Sequence, residues 1–481
     1  MIFHIAKREL YDNMNSLRFA LTVLLILTLM IVNAVKHLGD YRLEMNIYRK
    51  NVAKSLDHLR SGSENLYDLI EKGPGDFYKQ PSPLSFCADG GESFLPDRVS
   101  AAEGEYILSW DVAEGNLGGI KGIWRLKYPD KNPNLRDIRP DYTQIDWVLV
   151  ISVVLSFVAI LFTFDAISGE RERGTLRLIL SNSVPRSQIL IGKFLGALLS
   201  IGLPFLMGAL INLFLLNAAS HISLEASDWG QLGAIFLIAL VYMSIFIALG
   251  LLISARVSQQ EISLTILLLI WAFFVVLTPN TLGSIVSGLK PAQTREEFNS
   301  RFVEQYEELN TRYEQPYPGP TREFPPTRET ELWAKYIAAE AELVEGLRAE
   351  RLKTQIDQIG FARSIARVSP ASIVQHAVET LAGTGLSRHL QFLDGVRRYA
   401  AQYREFLISA DQSDPDSPHL YFVRQGMSEK PVPYSAVPKF EDRIELRESI
   451  NAAMTDILLL ILFLVVLFAG AVLAFVRVDV T

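Results

Sequence analysis

The stretch 165–193 contains the residue types best suited to recognising another protein. It carries alternating acidic and basic side chains, a glycine, a short apolar turn at helical spacing and a proline. The residues that we single out in it are Glu170, Arg171, Glu172, Arg173, Gly174, Thr175, Leu176, Leu180, Pro185 and Arg186. At a protein surface, charged groups form ion pairs with a partner, glycine permits close backbone approach, and leucines supply apolar anchors. The pattern is compatible with a docking site, but taken alone it indicates a solvated basic connection between two spanning helices, which is the usual meaning of such a charge run.

No other part of the sequence carries a recognisable catalytic or metal-binding pattern. The seven histidines all lie outside the long apolar runs, and Cys87 is the single cysteine. The sequence contains neither an H-E-x-x-H motif, which binds zinc, nor a G-x-x-x-x-G-K-[ST] motif, which binds the phosphates of ATP. We therefore predict that this chain has no catalytic residue, no metal site and no cofactor of its own.

The composition indicates a membrane protein with large water-exposed parts. Of the 481 residues, 49% are hydrophobic, and the mean hydropathy is +0.20 although 21% of the residues are charged. A positive mean with so many charges requires that apolar and charged residues are segregated along the chain. The net charge of −7 argues against a nucleic-acid-binding protein, and the single cysteine argues against a disulfide-stabilised scaffold.

Six runs without Asp, Glu, Lys or Arg are each long enough to cross a bilayer, which requires about 20 apolar residues. The predicted spanning segments are 19–35, 147–164, 194–220, 229–255, 262–280 and 457–476. Acidic residues lie at the ends of these runs, so the spans offer no buried carboxylate that could couple transport to protons or sodium. We predict a polytopic α-helical membrane protein with six transmembrane helices, whose energy source lies on another polypeptide.

Residues 1–18 form the predicted interfacial helix before the first span. Ile2, Ala6 and Leu10 lie on one face at near-helical spacing, whereas the basic residues of this segment lie elsewhere. An amphipathic helix of this kind lies in the plane of the membrane surface. The alternative is a cleaved signal peptide, because the Val-Asn-Ala sequence at 32–34 could serve as a signal-peptidase site.

The short connections between spans predict the orientation, because Lys and Arg concentrate on the cytoplasmic side. Residues 1–18 carry three basic residues and the connection 165–193 carries five, while the turn 221–228 carries none. We therefore expect both termini and the connection 165–193 to lie in the cytoplasm. The two long segments, 36–146 and 281–456, are then extracytoplasmic.

The two outer segments differ in pattern. In 36–146, helical spacing gives way to glycine and proline turns with short apolar runs near 106–108 and 123–126, which predicts a mixed α/β outer domain. In 281–456, two helical patterns flank a proline-rich break at 316–326, which predicts a helical-hairpin outer domain. Such a hairpin either packs only on itself or serves as an arm that binds a partner, and the sequence leaves both open.

The stretch 165–193 resembles the coupling loop of ABC-2 type permeases. An acidic pair is followed there by Gly174-Thr175-Leu176, an apolar turn, Val184-Pro185-Arg186-Ser187 and Ile189-Leu190-Ile191-Gly192-Lys193. Residues 5–10, which precede the first span, resemble the elbow helix of the same family, and the six-span layout is similar too. The resemblance implies the type V ABC exporter fold. It also implies that the ten residues named above are ATPase-coupling residues, which contact a nucleotide-binding subunit.

This resemblance implies the transmembrane permease subunit of a bacterial ABC transporter in the inner (cytoplasmic) membrane. ATP and Mg would bind to a separate nucleotide-binding ATPase subunit, and a second permease half, either a copy of this chain or a related paralogue, would complete a dimer. ATP hydrolysis would drive export or mechanical work on extracytoplasmic partners. Membrane lipid is an expected partner and nucleic acid is not. The competing hypothesis is a membrane-anchored scaffold that recruits periplasmic or surface proteins without moving a substrate.

The enlarged outer segments depart from typical ABC-2 permeases and resemble a subgroup with large extracytoplasmic domains. The resemblance includes Pro83-Leu84-Ser85 and the Leu-Ala-Gly-Thr-Gly sequence at 381–385, where an amphipathic helix is predicted to end at Gly383 and Gly385. Members of this subgroup are associated with maturation of copper enzymes or with export, which implies a periplasmic or lipoprotein partner. The histidines and methionines of this chain do not cluster as copper ligands would.

Overall fold

The computed structural model describes residues 2–90, 95–106, 120–128, 145–181, 184–219, 224–279, 281, 294–313, 328–421, 426–443 and 446–477. In chain order the described helices are α1 (Ile2–Met14), α2 (Leu17–Gly62), α3 (Leu66–Lys72), α4 (Trp147–Leu149, Val150–Leu155 and Ser156–Thr163), α5 (Ser168–Glu172), α6 (Thr175–Ser181), α7 (Arg186–Ala219), α8 (Ala226–Arg256), α9 (Gln260–Trp271 and Ala272–Leu277), α10 (Arg295–Arg312), α11 (Arg328–Ala366), α12 (Pro370–Ala382), α13 (Gly385–Gln412) and α14 (Leu446–Val476). The strands are β1 (Phe77–Tyr78), β2 (Arg98–Tyr106) and β3 (Ile120–Lys127).

Six of these helices, α2, α4, α7, α8, α9 and α14, contain a stretch that is long and apolar enough to cross a membrane. Each of them contains one of the uncharged runs, because only a helix satisfies its own backbone hydrogen bonds in lipid. The prediction of a polytopic α-helical protein with six spans is therefore confirmed.

The centre of the spanning bundle is α8, which packs against α4, α7, α12 and α14. Its side chains, including Tyr242 and Phe246, are buried along most of its length. A Cβ atom at Gly250 would overlap the hydroxyl group of Thr163 in α4. The missing side chain therefore permits the close approach of α4 and α8.

The first span continues far beyond its apolar run. Ser16 caps the start of α2, where its hydroxyl oxygen accepts a hydrogen bond from the backbone N–H of Phe19 at 3.2 Å. The helix then runs for 46 residues to Gly62. The helical spacing seen after residue 35 therefore extends the first span, and the second half of α2 packs against the elements that follow it.

A small antiparallel sheet, in the order β1-β2-β3, lies beyond the spanning bundle. Phe77 pairs with Val99, and the pairing of β2 with β3 runs from Ser100 opposite Lys127, through a bulge near Glu103, to Tyr106 opposite Ile120. β3 contains the predicted strand at 123–126. β2 ends at Tyr106, and positions 107–108 of the other predicted strand lie outside the described residues.

The two outer segments share a single hydrophobic core, whereas the sequence predicts two separate domains. Leu69 and Trp124 from the first segment pack with Tyr336, Phe392 and Tyr403 from the second. Residues far apart in sequence build this core together, and neither local pattern reveals that pairing. We call this unit, which contains α3, the sheet, α10, α11 and α13, the head.

The two helices of the predicted hairpin, α10 and α11, pack side by side and antiparallel. The Tyr336 hydroxyl donates a hydrogen bond to Asn310 Oδ1 at 2.8 Å, and Arg301 lies 3.2 Å from Glu350. The proline-rich break at 316–326 lies outside the described residues. A buried ion pair between Glu340 of α11 and Arg125 of β3 joins the hairpin to the sheet, so the hairpin does not pack only on itself.

The helix α12 forms where the sequence predicts it, but it packs with the spanning helices. Ser369 caps its start, and Gly383, with a φ of +66°, ends it in the left-handed conformation that glycine adopts at low cost. Its buried residues, among them Ile373, Val378 and Leu381, belong to the same hydrophobic core as α4, α8 and α14. The sequence assigned this segment to the second outer domain, because its local pattern is that of any amphipathic helix.

Candidate functional site

The stretch 165–193 contains two short helices, α5 and α6, and the first two turns of α7, which begins at Arg186; they lie at one end of the spanning bundle, which we call the loop end. α5 and α6 are joined at Gly174, whose φ is +74°. A side chain is strained in this left-handed conformation, which glycine adopts freely. No described atom lies within 4 Å of a Cβ atom built at Gly174. Within the chain, the glycine therefore serves the turn between the two helices.

Serine side chains attach the start of α5 to α8 and α9. Ser254 Oγ accepts hydrogen bonds from the backbone N–H groups of Ile167 and Ser168, both at 3.0 Å. The carbonyl oxygen of Phe164 accepts hydrogen bonds from the Ser168 hydroxyl at 2.9 Å and the Ser263 hydroxyl at 2.8 Å. Since these bonds satisfy backbone groups at the end of α4 and the start of α5, they hold the beginning of the loop in place against α8 and α9.

Lys193 joins the loop to both α1 and α7. Its ammonium nitrogen lies 2.7 Å from Glu170 Oε1 and 2.7 Å from Glu9 Oε1. The Lys193 side chain is only 4% exposed, and a buried ammonium group requires compensating negative charge. Glu170 is thus committed to a partner in its own chain.

Two glycines let α1 approach α7 beside this ion pair. A Cβ atom at Gly192 would lie 2.6 Å from Ile5 Cγ2, and one at Gly196 would lie 2.6 Å from Glu9 Cβ. The small residues, four positions apart, therefore receive the interfacial helix. As a result, α1, α7 and the loop form one packed unit.

Three more of the predicted coupling residues also point into the chain. Arg171 donates to a carbonyl oxygen in the last turn of α8 at 3.2 Å, and Arg186 donates to the Val476 carbonyl oxygen of α14 at 2.7 Å. Leu176, which we expected to anchor a partner, is only 2% exposed. It packs in the bundle core because α6 turns this face toward the spanning helices.

The opposite face of the loop is exposed to solvent. The predicted residues on this face are Glu172, Arg173, Gly174, Thr175 and Pro185. Leu178 is 70% exposed there, and the sequence analysis did not single it out. It lies two positions after Leu176 and therefore on the other side of the helix, a spacing that could have identified it. Leu180 lies in α6, but its side chain lies outside what the structure describes.

The comparison with known families covers nearly the whole chain. The family model described as ABC-2 family transporter protein matches residues 3–480. The chain belongs to the ABC-2 transporter family. Its six apolar helices make this ABC-2 protein a multi-pass membrane protein.

Two curated relatives match part of this ABC-2 protein. The probable ABC transporter permease protein NosY of Pseudomonas aeruginosa is 35% identical over 128 residues, and that of Stutzerimonas stutzeri is 31% identical over 127 residues. Each alignment covers 26% of this chain and 45% of the relative. This chain therefore spans about half the length of the curated relatives that it matches.

Lys193 and Glu9 are functional candidates that the sequence analysis missed in this ABC-2 protein. The sequence signal for this pair is Lys193, which lies between Gly192 and Gly196 at the start of an apolar run. A charged side chain at such a position requires an acidic partner such as Glu9. Within the part of the chain that the structure describes, no group of three or more His, Cys, Asp or Glu side chains is arranged to hold a metal ion.

Proposed function

We propose that this ABC-2 protein is the transmembrane subunit of a bacterial ABC transporter. Its loop end would couple ATP hydrolysis on a separate nucleotide-binding subunit to export or to mechanical work on extracytoplasmic partners. One observation carries the proposal: the loop has a face bonded into the bundle and an opposite face that presents Glu172, Arg173 and Leu178 to solvent. A coupling element needs both, because it must bind a moving partner and pass the motion on.

A push on the exposed face reaches several spanning helices at once. Lys193 bonds the loop to α1 and α7, Arg171 bonds it to α8, and Arg186 bonds its end to α14. The carboxyl end of α4 lies only a few residues before α5. Because these contacts are short and join the loop to several helix ends, the loop and the helix ends move together as a rigid unit.

The charges near the loop end support a cytoplasmic location of this end and of both termini in the bacterial inner membrane. Lys7 and Arg8 of α1 are exposed there, and basic residues favour the cytoplasmic side. The same helix exposes Phe3, Tyr11 and, just after it, Leu17, which supports contact with membrane lipid. The head then lies outside the cytoplasm, where it is available to a periplasmic or lipoprotein partner.

The partners follow from this role. The nucleotide-binding subunit carries ATP and Mg, and this chain contributes no catalytic residue to the hydrolysis. A second permease half, either a copy of this chain or a paralogue, completes the transporter. The names of the two NosY relatives, which are described as permease proteins of ABC transporters, support this assignment.

The test is co-purification of this chain with a candidate nucleotide-binding ATPase from the same organism. The two proteins are expected to form a complex in which ATP hydrolysis is faster than in the nucleotide-binding protein alone. The charge reversal Glu172→Lys with Arg173→Glu should abolish both effects. The matched control, Glu308→Lys with Arg312→Glu, reverses an exposed pair in the head and should change neither. A wild-type chain that neither binds nor stimulates any such ATPase would overturn the proposal and leave the scaffold hypothesis.

A further inference from the structure

Two spanning helices, α4 and α9, contain π-helical turns at the end of the bundle nearest the head. The π segments are Val150–Leu155 and Ala272–Leu277. Such turns are rare, occur frequently at functional sites, and leave a backbone carbonyl group that the regular ladder no longer satisfies. Two of them at one end of a six-helix bundle indicate a place where the helices can change register.

In α4, side chains of three helices satisfy the π turn. The carbonyl oxygen of Ser152 accepts hydrogen bonds from the Tyr242 hydroxyl at 2.8 Å and from the Ser156 hydroxyl at 2.5 Å. The Ser156 oxygen in turn accepts a hydrogen bond from Trp271 Nε1 of α9 at 2.9 Å. The π turn of α4 is thus connected to α9 at the residue where the second π turn begins.

In α9, two hydroxyl groups satisfy the π turn. The Thr278 hydroxyl donates to the carbonyl oxygen of Phe273 at 2.7 Å, and the Ser369 hydroxyl donates to the carbonyl oxygen of Phe274 at 2.5 Å. Ser369 is also the cap of α12, since its hydroxyl oxygen accepts hydrogen bonds from the N–H groups of Ala371 and Ser372. A single hydroxyl group therefore caps α12 and closes the π turn of α9.

The helix α12 connects these π turns to the head. Before its start, Arg367 forms two hydrogen bonds with Asp456 of α14, the shorter of 2.6 Å. At its end, the carbonyl oxygen of Ala382 accepts a hydrogen bond from Ser82 at 2.5 Å, and the chain turns at Gly383 into α13, which lies in the head core. α12 also packs along α14 and against both π segments. It is therefore placed to move against α4 and α9 while it stays fixed to α14.

We propose that α12 is the element that transmits motion between the spanning helices and the head, and that Ser369 is its positioning residue. The inference rests on the proposed function. When the loop end moves α4 and α9, a π turn converts to a regular α turn. A change of register by one residue rotates the segment that follows by about 100° and moves it along the helix axis by about 1.5 Å. The Phe274 carbonyl then bonds within its own helix, Ser369 is released, and α12 turns with the head.

Ser369→Asp separates the two roles of the serine. An aspartate caps a helix as well as serine does, but an ionised carboxylate cannot donate a hydrogen bond to the Phe274 carbonyl. Ser369→Thr keeps both the cap and the donor and is the matched control. Thr278→Val, which removes the other donor to the same π turn without touching α12, is the second variant and guards against a misfolded aspartate variant.

The first measurement is amide hydrogen exchange in the full-length chain alone, reconstituted in lipid nanodiscs. Ser369→Asp and Thr278→Val should speed exchange across 272–278 by roughly twofold to tenfold, the factor that one net hydrogen bond represents. Ser369→Thr should exchange at the wild-type rate, and a segment of α7 should exchange alike in all four proteins. Wild-type exchange rates in both Ser369→Asp and Thr278→Val would overturn the inference.

The second measurement uses the complex with the nucleotide-binding subunit and spin labels at Lys7→Cys and Lys335→Cys, which are exposed positions at the loop end and in the head. Cys87 is fully buried and does not compete for the label. ATP should change the distance in the wild type and in Ser369→Thr, while Ser369→Asp should hydrolyse ATP without the change. An unaltered change in Ser369→Asp would overturn the role of Ser369. If ATP does not change the distance between the spin labels in the wild type, that result counts against the proposed function. The exchange measurement across 272–278 then still tests whether Ser369 stabilises the π turn of α9.

Discussion

The loop end and the junction around α12 both fasten a short helix to the ends of spanning helices, but they do so with different chemistry. At the loop end, ion pairs reinforce the neutral serine bonds of α5: Lys193 lies between two carboxylates, and Arg18 lies 3.2 Å from Asp165. At the junction, the hydrogen bond that joins Ser369, the cap of α12, to α9 is neutral, between a hydroxyl group and a carbonyl oxygen, and the ion pair of Arg367 faces α14.

This difference indicates which contacts can be remade during a working cycle. Removing one partner of a buried ion pair costs about 3–5 kcal/mol, whereas a neutral hydrogen bond contributes about 0.5–1.5 kcal/mol. A bond of the second kind breaks and reforms at the energies that conformational changes in proteins involve. We therefore expect the loop end to be rigid where the loop contacts the spanning helices, and the junction to be deformable where α12 contacts α4 and α9.

The largest effect expected from breaking a polar contact comes from Lys193→Met, which leaves Glu9 and Glu170 without their cation. The two carboxylates are 30% and 23% exposed, so we expect a loss near the lower end of the range for buried pairs, about 3 kcal/mol. The measurement is the free energy of unfolding of the detergent-solubilised chain. Adding Glu9→Gln and Glu170→Gln to this variant should recover most of the loss. A change below about 0.5 kcal/mol in Lys193→Met would show that the loop end is not held by charge.

An effect of at most comparable size is expected from the titration of Asp146, which caps α4 at the head end. Burial raises the pKa of this carboxyl group to about 6, and Asp89 and Glu379 act in the same direction. The N–H groups of Leu149 and Asp89 oppose the shift by donating hydrogen bonds to the carboxylate.

The sign of the resulting pH dependence follows from the direction of this shift. Folding favours the protonated form of Asp146, so the chain should lose stability as the pH rises from about 4 to about 6 and change little above that, by up to about 3 kcal/mol in all. Asp146→Asn keeps the cap and should remove this part of the pH dependence. The measurement is the free energy of unfolding of both proteins across that window, and identical slopes would contradict the prediction.

Tyr242→Phe tests the neutral hydrogen bond between α8 and the π turn of α4, on the side of the junction that we describe as deformable. The variant removes one of the two hydroxyl groups that donate to the Ser152 carbonyl oxygen, and Ser156 keeps the carbonyl satisfied. We expect a loss of about 1 kcal/mol in the free energy of unfolding. Tyr11→Phe, at a position that is 68% exposed, is the control and should change it by less than about 0.5 kcal/mol. A loss of about 3 kcal/mol or more in Tyr242→Phe would mean that the junction is as rigid as the loop end.

The smallest effect on stability is expected at the exposed face of the loop. Leu178→Ala should change the free energy of unfolding by less than about 0.5 kcal/mol, because the side chain is 70% exposed. Leu176→Ala, two positions away, should cost about 2–5 kcal/mol because it leaves a cavity in the bundle core. Similar losses in both variants, measured by the same denaturation, would contradict the assignment of the two faces.

The six spans and the helices α10, α11 and α12 could be predicted from the sequence because their signals are local. An uncharged run of about 20 residues indicates a span, and Ser369 with Gly383 marks the limits of α12 through capping chemistry. The single core of the head could not be predicted in this way. It joins residues such as Trp124 and Tyr403, and nothing in either local pattern specifies the other.

The candidate site was located from the sequence, but the roles of its residues were not. In a helix of two turns, the direction of the inward face depends on how the helix packs on the bundle, so the sequence predicts Leu176 as a contact residue, whereas the structure exposes Leu178 instead. The sequence does not identify Lys193 as the partner of Glu170, because the two residues lie on different helices. Glu9, the other carboxylate that contacts Lys193, lies on a third helix. The π turns of α4 and α9 were not foreseen either, since no residue preference distinguishes them from regular turns.

The rate of ATP hydrolysis by the nucleotide-binding subunit, measured with and without this chain in nanodiscs, tests the coupling role of the loop most directly. We predict that the wild-type chain raises the rate and that Leu178→Asp, on the exposed face of α6, abolishes the increase. Val303→Asp, at a comparably exposed position of the head, should leave the increase intact. Equal stimulation by the wild type and Leu178→Asp would contradict the account.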